Sequence, residues 1–249
     1  MKIFKLCGLN DSTPDTIAHR QMVVDYATTF CERLMDRAEK DNPVLADYAA
    51  DFCDDIMKRA ERHDESKLHE PEKERFDYVG THQPLGKHAY GSEEYKKSLE
   101  YLGPALKHHY EVNDHHPEHF ENGFDGMNLM QVVELFCDWE AACHRNKNGN
   151  IYQSLERNKD RFKLSDDLYA ILKTTADVFE GKETEDVDLM GLVHGWLYAL
   201  SYTLSECNGN TGMDLYDCLG VGREQCGFSD QVYRILLNTA KTTNKDNED

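Results

Sequence analysis

Long apolar runs are missing from this sequence of 249 residues. The N-terminal segment MKIFKLCGLNDSTPD has too short an apolar stretch for a signal peptide, and no later window reaches the length that a membrane helix needs. CxxC pairs are missing too, although there are eight cysteines. We therefore expect a cytoplasmic protein with no membrane partner. Cys31, Cys53 and Cys137 fall in apolar helical patterns and are expected to be buried free thiols.

Basic side chains are scarce, because 28 Lys and Arg residues stand against 47 Asp and Glu residues and give a formal net charge of -19. Such a surface disfavours nucleic acid as a partner, since neutralisation of phosphates by Lys and Arg dominates that binding. An anionic substrate would need a local positive centre, such as a metal ion. The sequence also lacks a P-loop, a GxGxxG motif, a GxSxG elbow and an HExxH motif, so several common enzyme classes have no support.

Apolar residues recur at helical spacing through most of the chain, and we predict an all-α protein. A first helix is expected from Thr13 to about Lys40, and a second from about Val44 to Arg62, ending at His63. The segment from Glu70 to Gly91 contains several Gly and Pro residues, which predicts a lid or rim of short helix and loop.

Two further helices carry polar residues of interest. One is expected from Ser92 to about Val112, broken or kinked near Gly103 and Pro104, because proline removes a backbone donor. The other, from Met127 to His144, is apolar on most faces and is predicted to be a central buried helix with Asp138 in its middle. An ionised carboxylate is costly to bury alone, so this position favours a nearby cation.

The second half of the chain contains a loose internal repeat, in which LSDDLYAILKTTA resembles the later segment FSDQVYRILLNTA. The repeat extends to the helix before each of these segments, since MNLMQVVELFCDW from Met127 also resembles VDLMGLVHGWLYA from Val187. In this pairing Asp138 falls opposite Tyr198, so the C-terminal copy is predicted to be a structural or dimerising element without a metal site. We therefore divide the chain into a metal-binding helical domain, residues 1–180, and a C-terminal helical extension, residues 181–249. Chance similarity between two amphipathic helix pairs is the alternative.

Histidine and aspartate form short motifs on or beside the predicted helices. The motifs are His19, the pair His63-Asp64, the pairs His108-His109 and His115-His116, and Asp138. Imidazole and carboxylate together suit divalent Mn, Fe, Ni, Zn or Mg. Taken singly, a buried histidine is more often a core residue and an exposed histidine pair is usually just solvated. Taken together, the motifs predict a centre that holds one or two divalent metal ions.

These motifs resemble the HD-domain superfamily of metal-dependent phosphohydrolases, whose pattern is H…HD…D on a helical bundle. HDESKL at His63 resembles its HDxGK motif, with Lys67 in the lysine position. A second resemblance is to the HD-GYP branch, whose HHE…DG loop and following helix are similar to HHYEVNDHHPEHFENG and VVELFCDWEAA. The GYP tripeptide of that branch is absent from this sequence. The chain is most similar to an uncharacterised phage and bacterial branch with an HDxSK…HH…NxHH…DW pattern, and the resemblance covers about Pro14 to Phe179.

The resemblance implies an HD-domain-like helical bundle and gives roles to individual residues. The implied ligands of a first metal ion are His19, His63, Asp64 and Asp138. A second ion is implied at His109, together with His108 or His116. Asp64 would be both ligand and general base, or orienter, of the attacking water. Lys67 would stabilise phosphoryl oxygens, with a solvated surface lysine as the alternative.

Four further residues lie near these motifs. His115 and His116 belong to a loop that should overhang the site, where they could contact the substrate or act as a general acid, or instead hold the loop together by hydrogen bonds. Glu72 and Arg75 follow HDESKL and could orient ligands, or form a surface ion pair of little effect.

Three functions follow from this pattern. The first is hydrolysis of a nucleotide or related small phosphate ester, in the host cytoplasm if the chain is phage-encoded. The second keeps the metal centre but changes the reaction, because HD-like bundles also house di-iron oxygenases. The third is a non-catalytic binding or inhibitory module, in which the C-terminal copy and the acidic surface contact a partner or a second copy of the chain.

Overall fold

The computed structural model describes residues 11–82, 92–145, 149–184, 186–206 and 215–245. Within these ranges the chain forms ten α-helices and no β-strand, which confirms the predicted all-α class. The helices are α1 (Thr13–Asp41), α2 (Pro43–Arg62), α3 (Lys73–His82), α4 (Glu93–Val112), α5 (Leu129–Arg145), α6 (Ile151–Phe162), α7 (Asp166–Phe179), α8 (Leu189–Glu206), α9 (Leu215–Cys226) and α10 (Asp230–Lys245). None of these helices is long and apolar enough to cross a membrane.

α1 and α2 pack side by side and are joined by a single residue, Asn42. The Asn42 N–H donates to the Ala38 carbonyl at 2.9 Å and closes α1, while its side-chain oxygen accepts from the Val44 N–H at 3.0 Å and caps α2. This tight connection makes the two helices antiparallel. It therefore brings the first turns of α1, with His19, beside the end of α2, with His63.

A single hydrophobic core joins the helices. Its buried apolar side chains run from Val23 on α1 to Ala240 on α10, so both sides of residue 180 contribute to it. α5 contacts α1, α2, α6 and α10, as its apolar character predicts. Cys31, Cys53 and Cys137 are buried free thiols, also as predicted. The division at residue 180 remains a prediction about sequence organisation.

The sequence predicted a break or kink near Gly103 and Pro104, and α4 does not break there, since it runs through both residues. Pro104 removes one backbone donor, but Leu102 and Ala105 beside it are both fully buried. Their packing stabilises the helix on both sides of the proline. His109 lies one turn beyond Ala105 on the same face, and it too is buried.

The segment predicted as a lid or rim is described only in part. Lys73–His82 forms α3, which packs against α4. Residues 83–91 lie outside the described ranges.

Glu140 on α5 has a carboxyl group that is buried, with 2% of the residue exposed, and no described residue offers a hydrogen-bond partner to its Oε1. Burial raises its pKa from 4.5 to about 7, with His144 opposing the increase and Glu180 adding to it. Between these two pH values the native state holds a proton that the unfolded chain has released. The contribution of Glu140 to stability therefore falls as the pH rises through this range.

We expect Glu140→Gln to raise the free energy of unfolding by about 3 kcal/mol at pH 8, because no ionised carboxylate is then buried. At pH 4 the carboxyl group is largely protonated in both states, so the gain should nearly vanish. Urea unfolding of the wild type and the variant at both pH values measures this difference. An equal gain at the two pH values would mean that packing, not ionisation, is responsible.

Candidate metal centre

The end of α2 gives the centre two of its side chains. The helix stops at Arg62, His63 has φ -50° and ψ 132°, and Asp64 has φ 58° and ψ 23°, in the left-handed region. Aspartate tolerates this conformation better than most residues, and such backbone positions cluster at functional sites. The sharp turn lets both side chains enter the interior, where His63 is 1% and Asp64 2% exposed.

A first group of ligand-type atoms joins α1, the end of α2 and α5. His19 Nε2 lies 2.8 Å from Asp138 Oδ1, and His63 Nε2 lies 3.7 Å from the same oxygen. Asp64 Oδ2 is 3.9 Å from His19 Nε2 and 3.6 Å from His63 Nε2. The structure thus brings together all four residues that the sequence pattern assigned to a first metal ion.

A second group joins Asp64 to the end of α4 and to the loop that follows it. Asp64 Oδ1 lies 3.2 Å from His109 Nε2 and 3.8 Å from His115 Nε2. His116 Nε2 lies 2.9 Å from His109 Nε2. The two oxygens of Asp64 therefore face different groups. Oδ2 faces the first group, and Oδ1 faces the second group.

His108 is not brought into either group, although the sequence pattern offered it as a partner of His109. Its Nδ1 lies 2.8 Å from Glu72 Oε1, and 35% of its side chain is exposed. The other partner offered, His116, does face His109. His115 was predicted only as a loop residue above the site, yet its ring is buried among these ligand-type atoms.

Glu134 on α5 orients two of the histidine rings, and the sequence pattern gave it no role. Its Oε1 lies 2.9 Å from His63 Nδ1 and 3.2 Å from His115 Nδ1, while its Oε2 accepts from Arg59 Nε at 2.8 Å. A carboxylate on Nδ1 fixes the ring and directs Nε2 at a metal position. The only sequence signal for Glu134 is its place four residues before Asp138, one turn away on the same helix face.

Glu72 serves the second group in the same way. It is fully buried, and its Oε2 lies 3.0 Å from His109 Nδ1. The sequence had suggested Glu72 and Arg75 as residues that orient ligands. Arg75 instead donates to the Tyr101 carbonyl at 2.8 Å, so only Glu72 contacts a ligand-type residue of the centre.

The charges of the centre keep its carboxylates ionised. Burial alone would raise the pKa of Asp64, but Lys67, His63 and His109 outweigh it and hold that pKa well below its usual range. The Lys67 ammonium donates to Asp64 Oδ2 at 2.5 Å. Burial likewise opposes the charged form of His63, yet the surrounding carboxylates raise its pKa to about 10. A metal ion would compete with this proton.

Several atoms of the centre have no hydrogen-bond partner among the described residues, and they suit a metal ion. These buried atoms are His63 Nε2, His115 Nε2 and Asp64 Oδ1. Leaving such atoms unpaired in the interior is costly. Ligand atoms on one ion with bonds of about 2.1 Å lie at most about 4.2 Å apart, and the His-to-Asp separations of 2.8–3.9 Å in the first group fit that limit. These buried His and Asp groups could therefore hold a metal ion.

A pocket of about 540 Å³ reaches the centre, with His63, His115 and Glu134 in its lining. Three basic side chains line it, Lys58, Arg59 and Arg62, and so do three acidic ones, Glu65, Asp114 and Glu134. Each basic side chain is paired with a carboxylate, Lys58 with Asp55, Arg59 with Asp114 and Glu134, and Arg62 with Glu65. The formal charges of these six lining side chains therefore balance.

Comparison with known proteins gives a family but no activity. Searches of curated proteins and of solved structures each found no match. Residues 9–178, more than half of the chain, match a family described as a family of unknown function, DUF5662. The matched range includes every residue of the two ligand groups and ends near the end of α7. The chain belongs to this family of unknown function.

Proposed function

We propose that the protein is an HD-type metal-dependent phosphohydrolase that acts on a nucleotide or a related small phosphate ester. The observation that carries the proposal is the position of Asp64, whose two oxygens face two separate groups of His and Asp atoms. A carboxylate so placed suits a pair of divalent ions, drawn from Mn, Fe, Ni, Zn and Mg. When bound, such ions bind phosphate oxygens and lower the pKa of a coordinated water.

The surrounding residues of the chain have matching tasks in this proposal. Asp64 would contribute one oxygen to each group of ligands and would orient the attacking water, and Glu134 and Glu72 keep the histidine rings in place. Lys67 holds Asp64 and adds positive charge where phosphoryl oxygens would lie. Burial and His115 lower the pKa of His116 well below its usual range, so the ring is neutral and can coordinate an ion. The predicted role as a general acid would require the protonated ring that this environment disfavours.

The pocket has a suitable size for a small substrate. Its volume of about 540 Å³ is that of a typical small-molecule site, which spans roughly 300–1,000 Å³. Lys58 and Arg62 line it and are paired with Asp55 and Glu65, so a phosphate ester would have to replace these carboxylates in order to contact the two basic side chains.

The decisive experiment combines metal analysis with a phosphate-release screen. We expect purified protein to carry roughly stoichiometric divalent metal and to release phosphate from one class of nucleotide or sugar phosphate. His109→Gln should lower the rate by about a hundredfold or more. His108→Gln removes the neighbouring ring, which contacts Glu72 Oε1 but belongs to neither group, and should keep most of the activity.

Other outcomes identify the alternatives. Bound iron with oxygen uptake and no phosphate release would favour the di-iron oxygenase, since a histidine-rich donor set also suits iron. A metal-free protein that stays inactive with all five metals would contradict the proposal and leave a binding module.

A further inference from the structure

α10 holds the segment that leads into α5. The Leu129 N–H, at the first residue of α5, donates to Thr239 Oγ1 at 2.9 Å. Asn238 Nδ2 donates to the carbonyls of Asp125 and Met127, each at 3.0 Å. Arg234 also binds the Asp125 carboxylate. Although α10 lies outside the range that matches the family, it fixes the start of the helix that carries Glu134 and Asp138.

The same segment is tied to the loop that carries His115. Asn128 and Gln131 cap the first turn of α5 reciprocally, with bonds of 2.8 Å and 3.0 Å between side chain and backbone. Gln131 Nε2 then donates to Asp114 Oδ2 at 2.7 Å, one residue before His115. A displacement of the first turn of α5 would therefore move the loop as well as the helix.

The hydrogen bond from Leu129 to Thr239 has an equivalent elsewhere in the internal repeat. The Leu189 N–H, at the first residue of α8, donates to Thr175 Oγ1 on α7 at 2.8 Å. Thr175 and Thr239 are both fully buried, and their hydroxyls donate to the carbonyls of Ile171 and Ile235 at 2.7 Å and 2.8 Å. The two threonines occupy equivalent places in LSDDLYAILKTTA and FSDQVYRILLNTA.

The two copies also exchange bonds at the starts of α7 and α10. The Ser165 N–H donates to Gln231 Oε1 at 2.8 Å, and the Ser229 N–H donates to Asp167 Oδ2 at 2.7 Å. Each copy therefore supports the other through equivalent positions. The copies differ in what the supported helix carries, because Tyr198 on α8 stands where α5 has Asp138, and it is 54% exposed.

We infer that Thr239 is a positioning residue of the candidate metal centre. Its hydroxyl fixes the start of α5, and through this helix it sets where Asp138 and Glu134 lie relative to His19 and His63. The inference rests on the proposed metal site. It also gives the C-terminal copy a task, which is to hold the first copy in the geometry that binds metal.

The matched variants Thr239→Val and Thr175→Val test this inference in the full chain. Valine keeps the shape of threonine and removes one equivalent buried hydroxyl in each case. Both variants should lower the unfolding midpoint by a similar amount, about 2–4 °C. Only Thr239→Val should weaken binding of cobalt(II), by about tenfold, with a change in the visible absorption of the bound ion. Thr239→Ser keeps the hydroxyl and should restore both binding and spectrum.

Equal cobalt affinity in Thr239→Val and Thr175→Val would overturn the inference. If the wild type binds no cobalt, the proposed function fails, and amide exchange of the metal-free protein then decides the inference separately. Thr239→Val should speed exchange in the first two turns of α5 and in the loop around His115, whereas Thr175→Val should leave both unchanged. Unchanged exchange there in Thr239→Val would also overturn it.

Discussion

The Asp64→Asn variant is expected to bind divalent metal about a hundredfold more weakly than the wild type, or not at all. The two oxygens of Asp64 face the Nε2 atoms of different ligand groups, with Oδ1 3.2 Å from His109 Nε2 and Oδ2 3.6 Å from His63 Nε2. The amide removes the charge and replaces one oxygen by a group that cannot coordinate. Asparagine is the appropriate substitute because it also tolerates the left-handed backbone that residue 64 adopts.

Metal content after dialysis, measured by elemental analysis, tests this expectation. Asp54→Asn is the matched control, because Asp54 lies on α2, is exposed, and its loss changes the net charge by the same amount. Stoichiometric metal in Asp64→Asn would show that the metal ions bind elsewhere in the protein. Loss of metal in both variants would point to a general effect of charge.

Glu134→Gln should weaken metal binding by about 10- to 100-fold without removing a ligand of either group. The carboxylate accepts from Arg59 and contacts the Nδ1 atoms of His63 and His115, whereas a glutamine side chain has one oxygen for these three groups. The rings would lose their fixed orientation. In metal-free protein we also expect about 3 kcal/mol lower stability, since a largely buried charge pair loses one partner.

The stability effect of Glu134→Gln should depend on pH in a defined direction. Burial would raise the pKa of Glu134, but His115, His63 and Arg59 outweigh it and hold the pKa below its usual range. The contribution of a carboxyl group with a lowered pKa is complete above its unfolded value of 4.5 and is lost as the pH falls. The difference between wild type and variant should therefore be full at pH 7 and shrink below pH 4.

Urea unfolding with a chelator present at several pH values, together with cobalt titration at pH 7, measures both effects. Glu121→Gln supplies the control, because Glu121 is exposed and its substitution changes the net charge by the same amount. A variant at position 134 that binds cobalt as tightly as the wild type would mean that the histidine rings are held by other contacts.

Much of the fold was accessible from the sequence because helical periodicity is a local property. The approximate extents of α1, α2 and the buried α5 follow from their apolar spacing. Of the break or kink predicted near Pro104, the break did not occur, because burial of Leu102 and Ala105 outweighs the loss of one backbone donor. That burial is a tertiary effect, and a local pattern does not report it.

The centre was accessible only in part, for a related reason. Adjacent histidines on a helix point about 100° apart, so the pair at 108 and 109 can direct only one ring inward. Leu102 and Ala105 share a face with His109, and this spacing was a signal that favoured His109 over His108. His115 lies in a loop without a repeat, and Glu134 acts on His63 from 71 residues away. Contacts of this kind require the assembled structure.

The residues that surround the candidate metal positions come from distant parts of the chain, with His19 and Asp138 separated by 119 positions. No short stretch contains either group, so an unfolded or half-folded chain has nowhere to bind the ion tightly. Bound metal then shifts the folding equilibrium by mass action, by about 2.7 kcal/mol when free metal is a hundred times its dissociation constant. Metal supply would in this way decide how much of the protein survives proteolysis in a cell, independently of any reaction at the centre.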